Sequence, residues 1–332
     1  MNVHSPYLSF WQLDAPVFLR TITSEQVYLN SHLHAFTDRI QLFCGQGTGL
    51  VLLSGPRGSG RSTILRWLYE GTNTDLAEPL LMTLVKEETQ PGWLLARLQQ
   101  ILSVTVKRKG GNFEDGFRTI AERCERFLKP KRGLIIMVDG VENIRTVAAL
   151  SEVAAFLNLP SMGHFRVVVI LTGTDQSAEL CRKAAGLGSK ILSHLHVLPL
   201  TAEEIGEYLA HRCRIAGISQ SPFGSSAQMA IHSMTGGILN RVNALAENCL
   251  IEAASRRQRI IDQGIVVAAG KFLDLGLTAV GGPKIPVTAT AAGAPYVPPQ
   301  APGAKKSEPL AALFRLDPSL ARGKKKDNGS ES

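Results

Sequence analysis

The run Gly49-Leu50-Val51-Leu52-Leu53-Ser54-Gly55-Pro56-Arg57-Gly58-Ser59-Gly60-Arg61-Ser62-Thr63-Ile64-Leu65 decides the fold. Its first half is a short apolar stretch closed by glycine, which predicts a buried strand over residues 49–55. Its second half opens a helix at once, with Ser62 in the first turn. Gly55, Gly58 and Gly60 lie between the two. Glycines let the backbone turn tightly enough for successive N–H groups to face one anion, and the helix N-terminus adds partial positive charge. Strand, glycine loop and helix in that order are the context a phosphate-binding loop requires. Ser62 offers a hydroxyl to Mg²⁺. The usual spacing G-x-x-x-x-G-K-[ST] has Lys where this chain has Arg61. Lys is a compact point charge and Arg a bulkier planar fork, so the exchange is not conservative. A glycine-rich turn that binds nothing is the competing reading.

Outward from this loop, strands and helices alternate. Residues 80–85, 133–140 and 165–173 read as further strands, and 92–102, 113–130 and VAALSEVAAFLNL as helices. Such alternation predicts a parallel α/β sheet. After Pro199 the pattern turns all-helical. Thr201 with Glu204 forms a capping box, and further helices are expected over 225–233, 238–256 and 262–272. The third strand, Leu134-Ile135-Ile136-Met137-Val138-Asp139, ends in a carboxylate placed to complete a Mg²⁺ site. The next residue is Gly140, so no second carboxylate stands directly beside Asp139 to orient a water. Glu142 follows two residues on, an offset wrong for direct substitution.

Composition narrows the class. The 332 residues are 44% hydrophobic and 19% charged, which excludes a wholly disordered, collagen-like or coiled-coil chain. Lys plus Arg is 36 against 28 Asp plus Glu, a net +8 that is not by itself a nucleic-acid binder's balance. From Gly281 onward the composition shifts to eight of the 17 prolines with eight basic and four acidic residues. Such a stretch buries too little apolar surface to offset its ordering entropy and predicts a disordered tail. Within it, residues 309–316 read as linker, with a docking helix as the minority view, and Arg322–Lys326 form a basic cluster. No apolar run reaches membrane-spanning length, and the N-terminus has no secretory pattern. The five cysteines lie far apart, with no metal-ligand spacing. A reduced, cytoplasmic protein is the expectation.

Five segments, in order, resemble the AAA+ proteins related to general secretion pathway protein A (ExeA-type), which stand near the transposition ATPases. They are YLSFWQLDAPVF, VYLNSHLHAFTDRIQL, GLVLLSGPRGSGRSTILRWL, HVLPLTAEEIGEYLAHRCRIAG and MTGGILNRVNALAENCLIEA. The resemblance implies an AAA+ P-loop α/β domain over residues 1–199, a helical lid over 200–280 and the tail over 281–332. It implies ATP and Mg²⁺ as cofactors. Gly55, Pro56, Arg57, Gly58, Ser59, Gly60, Arg61, Ser62 and Thr63 would hold the phosphates, with Ser62 and Asp139 on the metal.

Against that family, several positions depart together: Arg61 for Lys, Gly140 for Glu, Thr174 for Gln, Lys190 for a bridging arginine, and Leu239-Asn240 for a Pro-Arg pair, with Arg241 one place late. Each touches γ-phosphate chemistry. The expectation is an ATP- or ADP-binding scaffold or helper of a secretion, pilus or mobile-element machine, with weak or lost hydrolysis. An active ATPase using Glu142, a nucleotide-free interaction module and a DNA-binding transposition helper are the alternatives. A homo-oligomer is compatible with all four. Restoring Glu at position 140 and Lys at 61 is expected to raise turnover. His34 is expected either near the base or simply at the surface.

Overall fold

Long runs of Val, Ile and Leu build the centre of the molecule. In the computed structural model, β1 (Gly49–Ser54), β2 (Ala77–Thr83), β3 (Gly133–Asp139), β4 (Arg166–Gly173) and β5 (Ile191–His196) form one parallel sheet in the order β2-β3-β4-β1-β5. The structure describes residues 6–18, 23–29, 31–85, 90–102, 113–127, 133–158 and 166–273. The register pairs Ser54 with Gly173, and Asp139 with both Thr172 and Thr83. The carboxyl ends of four strands therefore share one rim, the place where ligands bind in open α/β sheets.

The helices are α1 (Pro6–Trp11), α2 (Ser31–Gln46), α3 (Arg61–Glu70), α4 (Trp93–Ile101), α5 (Phe113–Phe127), α6 (Val147–Phe156), α7 (Asp175–Lys183), α8 (Ala202–Ile215), α9 (Ser225–Thr235), α10 (Leu239–Ser255) and α11 (Gln263–Lys271). Strand side chains alternate between the sheet's faces. Leu50 and Leu52 pack with α4 to α7, while Val51 and Leu53 pack with α2 and α3. Both faces are covered, so the central strands read as unbroken apolar runs. Each fully buried Leu or Ile there contributes about 1.5–3 kcal/mol.

The third core belongs to α8 to α11 and includes Tyr7, Trp11, Leu13, Val17 and Phe18 from the N-terminal stretch. Glu247 on α10 accepts hydrogen bonds from the Tyr7 hydroxyl (2.5 Å) and the Phe18 amide (2.7 Å). The buried Arg212 on α8 donates to the Val17 carbonyl at 2.5 Å. The expected Thr201–Glu204 capping box is formed in full.

Cys124, Cys181, Cys213 and Cys249 are free and buried. Burial pushes the Cys124 thiol up to about 11 and the other three to about 12, so they behave as small apolar core groups. Among the described residues, no helix is long and apolar enough to cross a membrane. The expected tail from Gly281, with its 309–316 segment and basic cluster, lies outside the described residues.

Candidate functional site

The loop leaving β1 holds Gly58 at φ +84° and Gly60 at φ +95°, left-handed conformations that favour glycine. The amides of Gly58, Gly60, Arg61 and Ser62 have no hydrogen-bond partner among the described residues. Unpartnered amides beside a helix N-terminus are the donors from which anion-binding concavities are built. Ser59 adds a buried hydroxyl that also lacks a partner among the described residues.

Arg61 opens α3, yet its side chain turns inward and the residue is only 8% exposed. Its Nη2 donates to Oε1 of Glu142 at 3.2 Å. Nη1 of Arg61 and Oε2 of Glu142 are both buried without a partner among the described residues. Glu142 reaches the loop because the chain reverses just past β3. Gly140 takes φ +80° and opens a 3₁₀ turn over Val141–Asn143. Asn143 Nδ2 anchors that turn on the Leu84 carbonyl at 2.6 Å, and the Leu84 amide donates to the Asp139 carbonyl at 2.9 Å. The sequence singled out both residues, and the turn brings them together. The same turn alters the expectation for restoring Glu at position 140. A Cβ there would sit 2.6 Å from the Leu84 carbonyl oxygen, on a backbone that side chains rarely adopt.

Asp139 lies half-buried at the rim, where its Oδ1 accepts the Gly140 amide at 2.9 Å. Ser62 is exposed and faces a cleft of about 200 Å³ shared with Thr23, Ser24 and Arg66. Pro56 is half-buried and Arg57 exposed. Thr63 lines both this cleft and a larger cavity of about 400 Å³, to which Ser59 and Gly60 also contribute. Its other walls come from Val27 and Tyr28, from His196 and Val197 at the end of β5, and from Tyr208, Leu239 and Asn243 of the helical part. The volume lies in the range of small-molecule sites, and most of the lining is apolar. His34 is exposed and stands outside this lining, whereas its neighbour Leu33 contributes to it.

The start of α10 closes over the loop. The Asn240 amide donates to the Gly58 carbonyl at 2.9 Å. A Cβ on Gly60 would meet Leu239 Cδ2 at 3.0 Å. Arg241 is exposed. Lys190 lies at the other end of β1, its carbonyl beside Gly49. Thr174 caps α7, accepting from the Ser177 amide at 3.4 Å.

One polar chain beside the loop was missed in the sequence. Ser54, the last residue of β1, donates to Asp175 Oδ1 at 2.6 Å and contacts His194 Nε2 at 2.8 Å. Arg182 Nη2 lies 2.8 Å from His194 Nδ1. Since Arg can only donate, that nitrogen accepts and His194 is neutral in this arrangement. Burial, then the charges of Arg182 and His196, hold its pKa below the usual imidazole value. The available signal was Ser54 directly before the loop, with His194 and His196 two apart on one strand.

A family model described as an AAA domain matches residues 44–181. General secretion pathway protein A of Aeromonas hydrophila is 24% identical over 267 residues, covering 79% of this chain and 48% of that protein. The chain thus spans about half the length of that relative. Among solved structures, Cdc6p from Pyrobaculum aerophilum aligns with TM-score 0.59 at 15% identity, covering 77% of this chain and 70% of that one. The Aeropyrum pernix ORC1 protein in complex with DNA gives 0.54 at 17% identity, covering 77% and 68%. The ADP form of the Aeropyrum pernix ORC2 protein gives 0.53 at 13%, covering 77% and 71%. Strand order, loop conformation and the similar solved structures agree on an α/β fold of the AAA+ P-loop type, with residues 44–181 matching an AAA domain and the chain similar in sequence to general secretion pathway protein A.

Proposed function

We propose that the chain binds ATP or ADP between the Gly55–Thr63 loop and helices α8 to α11, and acts as a nucleotide-gated scaffold or helper with little hydrolysis. The observation that carries this reading is the row of unpartnered amides on a loop whose Ser59, Gly60 and Thr63 line a cavity of about 400 Å³, together with the buried, unpartnered Nη1 donor of Arg61. Anions are what such a set of donors lacks. The tri- or diphosphate would lie on the loop and the base in the apolar part of the cavity. An ORC2 protein in its ADP form among the similar structures supports a nucleotide as the ligand, by analogy of fold alone.

Mg²⁺ fits the residues present. Among the described residues no cluster of three or more His, Cys, Asp or Glu side chains could hold an ion. Mg²⁺ is ordinarily held by one or two protein oxygens together with phosphates and water. Asp139 keeps Oδ2 without a hydrogen bond among the described residues, and Ser62 lies at the helix start. When bound, the ion would neutralise phosphate charge.

Slow hydrolysis is argued from this chain's own groups. No carboxylate follows Asp139 directly, and Glu142 is engaged by Arg61. Lys190 replaces a bridging arginine, a group worth about 10³–10⁵ in rate. The partner would be a secretion-, pilus- or mobile-element-type machine, by relation to general secretion pathway protein A. Glu142 as water-orienting base is the second reading, favoured by its unpartnered Oε2 at the loop.

Titration calorimetry with Mg-ATP and ADP tests binding. The expected dissociation constants are micromolar to millimolar, about 4–8 kcal/mol, and no heat with either nucleotide would end the proposal. Phosphate release that is brisk in the unaltered chain and lost in Glu142→Ala would favour the second reading.

A further inference from the structure

We propose that Glu142 is a resident counter-anion that sets the phosphate-chain length the loop accepts. A nucleoside diphosphate fits with the Arg61–Glu142 pair closed, and a triphosphate enters only by displacing the Glu142 carboxylate. The inference rests on the nucleotide-binding reading above and goes one step further.

In a phosphate-binding loop the backbone amides cradle the α- and β-phosphates, and the loop cation reaches the β- and γ-phosphates. Here the amides are open and the cation is taken. The Arg61 and Glu142 side chains are only 9% and 18% exposed. They meet at one point, 3.2 Å from Nη2 to Oε1, instead of as a two-bond fork. Nη1 and Oε2 stay buried and unpartnered among the described residues. A fork would satisfy both atoms, and buried pairs repay their desolvation only when their remaining groups are bonded. This contact is therefore strong enough to occupy Arg61 and incomplete enough to exchange. The buried, unpartnered Nη1 is the donor left for a β-phosphate oxygen that reaches it.

The backbone of Glu142 cannot simply retreat. Gly140 is bonded to Asp139 Oδ1, Asn143 to the Leu84 carbonyl, and Val141 is 1% exposed. Only the side chain is free to rotate away. A third phosphate thus meets a fixed turn carrying a negative group, and like charges at close range exclude one another.

The experiment is titration of the full chain, unaltered and as Glu142→Gln, with ADP and with ATP in the presence of Mg²⁺. The amide nearly preserves shape and keeps an acceptor for Arg61. The unaltered chain is expected to bind ADP about tenfold more tightly than ATP, and Glu142→Gln to tighten ATP about tenfold while moving ADP less than about threefold. A measurement without any variant accompanies it: pyrophosphate should displace fluorescent ADP from the unaltered chain better than tripolyphosphate does. Equal shifts for both nucleotides in the variant, or ATP preferred by the unaltered chain, overturn the inference and leave nucleotide binding standing. No binding of either nucleotide to either protein removes both.

Discussion

Gly140 shows how one residue can close a route that a motif comparison leaves open. The position invites a Glu by analogy. Its φ of +80° and the Leu84 carbonyl, 2.6 Å from where a Cβ would stand, reject any side chain there without backbone movement. Glycine at such a site is a conformational requirement. Gly140→Glu is therefore expected to lower stability by about 1–3 kcal/mol and to give no gain in turnover. Thermal melting and phosphate release measure the two parts. A variant that melts with the parent and hydrolyses ATP faster would show that the turn relaxes freely. Arg61 and Glu142 illustrate what the sequence conveys at this scale. Both residues were legible, Arg61 as a substituted cation and Glu142 as a displaced carboxylate. Their contact was not, because it depends on the reversal at Gly140, a backbone feature of φ that glycine permits and does not announce.

At the scale of elements, β1, β3 and β4 were legible because strands buried on both faces must be apolar throughout, and a continuous run needs no partner to be recognised, whereas the edge strand β2 was read only from its apolar half, three residues late. β5 was not legible. ILSHLH places Ser193, His194 and His196 on an edge strand whose residues are all half-buried or exposed, so its pattern carries little contrast. Helix starts were legible where the cap is local, as at Thr201 with Glu204. The start of α4 is capped from elsewhere. Its N-cap is Gly92, at φ +106°, with no side chain to accept a bond. Glu152 on α6, 5% exposed, supplies the acceptor instead and takes the amides of Gly92, Leu94 and Leu95 at 2.8, 3.3 and 2.9 Å. Burial raises its pKa while those amides pull it back. Glu152→Ala leaves two buried donors and one half-buried donor open and is expected to cost about 2–4 kcal/mol. Denaturant unfolding followed by circular dichroism reads the loss. A change below about 0.5 kcal/mol would mean that water replaces the carboxylate.

At the scale of the whole described molecule, the phosphate loop is held from both sides. β1 feeds it from the sheet, and α10 covers it through the Asn240 amide on the Gly58 carbonyl and Leu239 against Gly60. A ligand seated on the loop amides would therefore tie the helical core to the α/β core. Nothing in the linear sequence joins Gly58 to Asn240, so this coupling belongs to the fold alone. If the proposed nucleotide binds there, saturating ligand stabilises the native state by RT ln(1 + [L]/Kd), about 2.7 kcal/mol at 100 times Kd. That corresponds to a melting-temperature rise of roughly 5–10 °C for a unit of this size. Gly58→Ala tests whether the α10 contact is needed. The new methyl would stand 3.1 Å from Asn240 Cβ on a backbone at φ +84°, wedging loop from helix. Gly217→Ala is the matched control, since its φ is +96° but no atom lies within 4 Å of the added Cβ. Without ligand, Gly217→Ala should lose about 1–2 kcal/mol from the left-handed backbone alone, and Gly58→Ala at least as much, since its methyl also meets Asn240 and Ile238. Only Gly58→Ala should also lose the nucleotide-induced rise. Equal ligand responses from the two would show that α10 rests on the loop without taking part in binding.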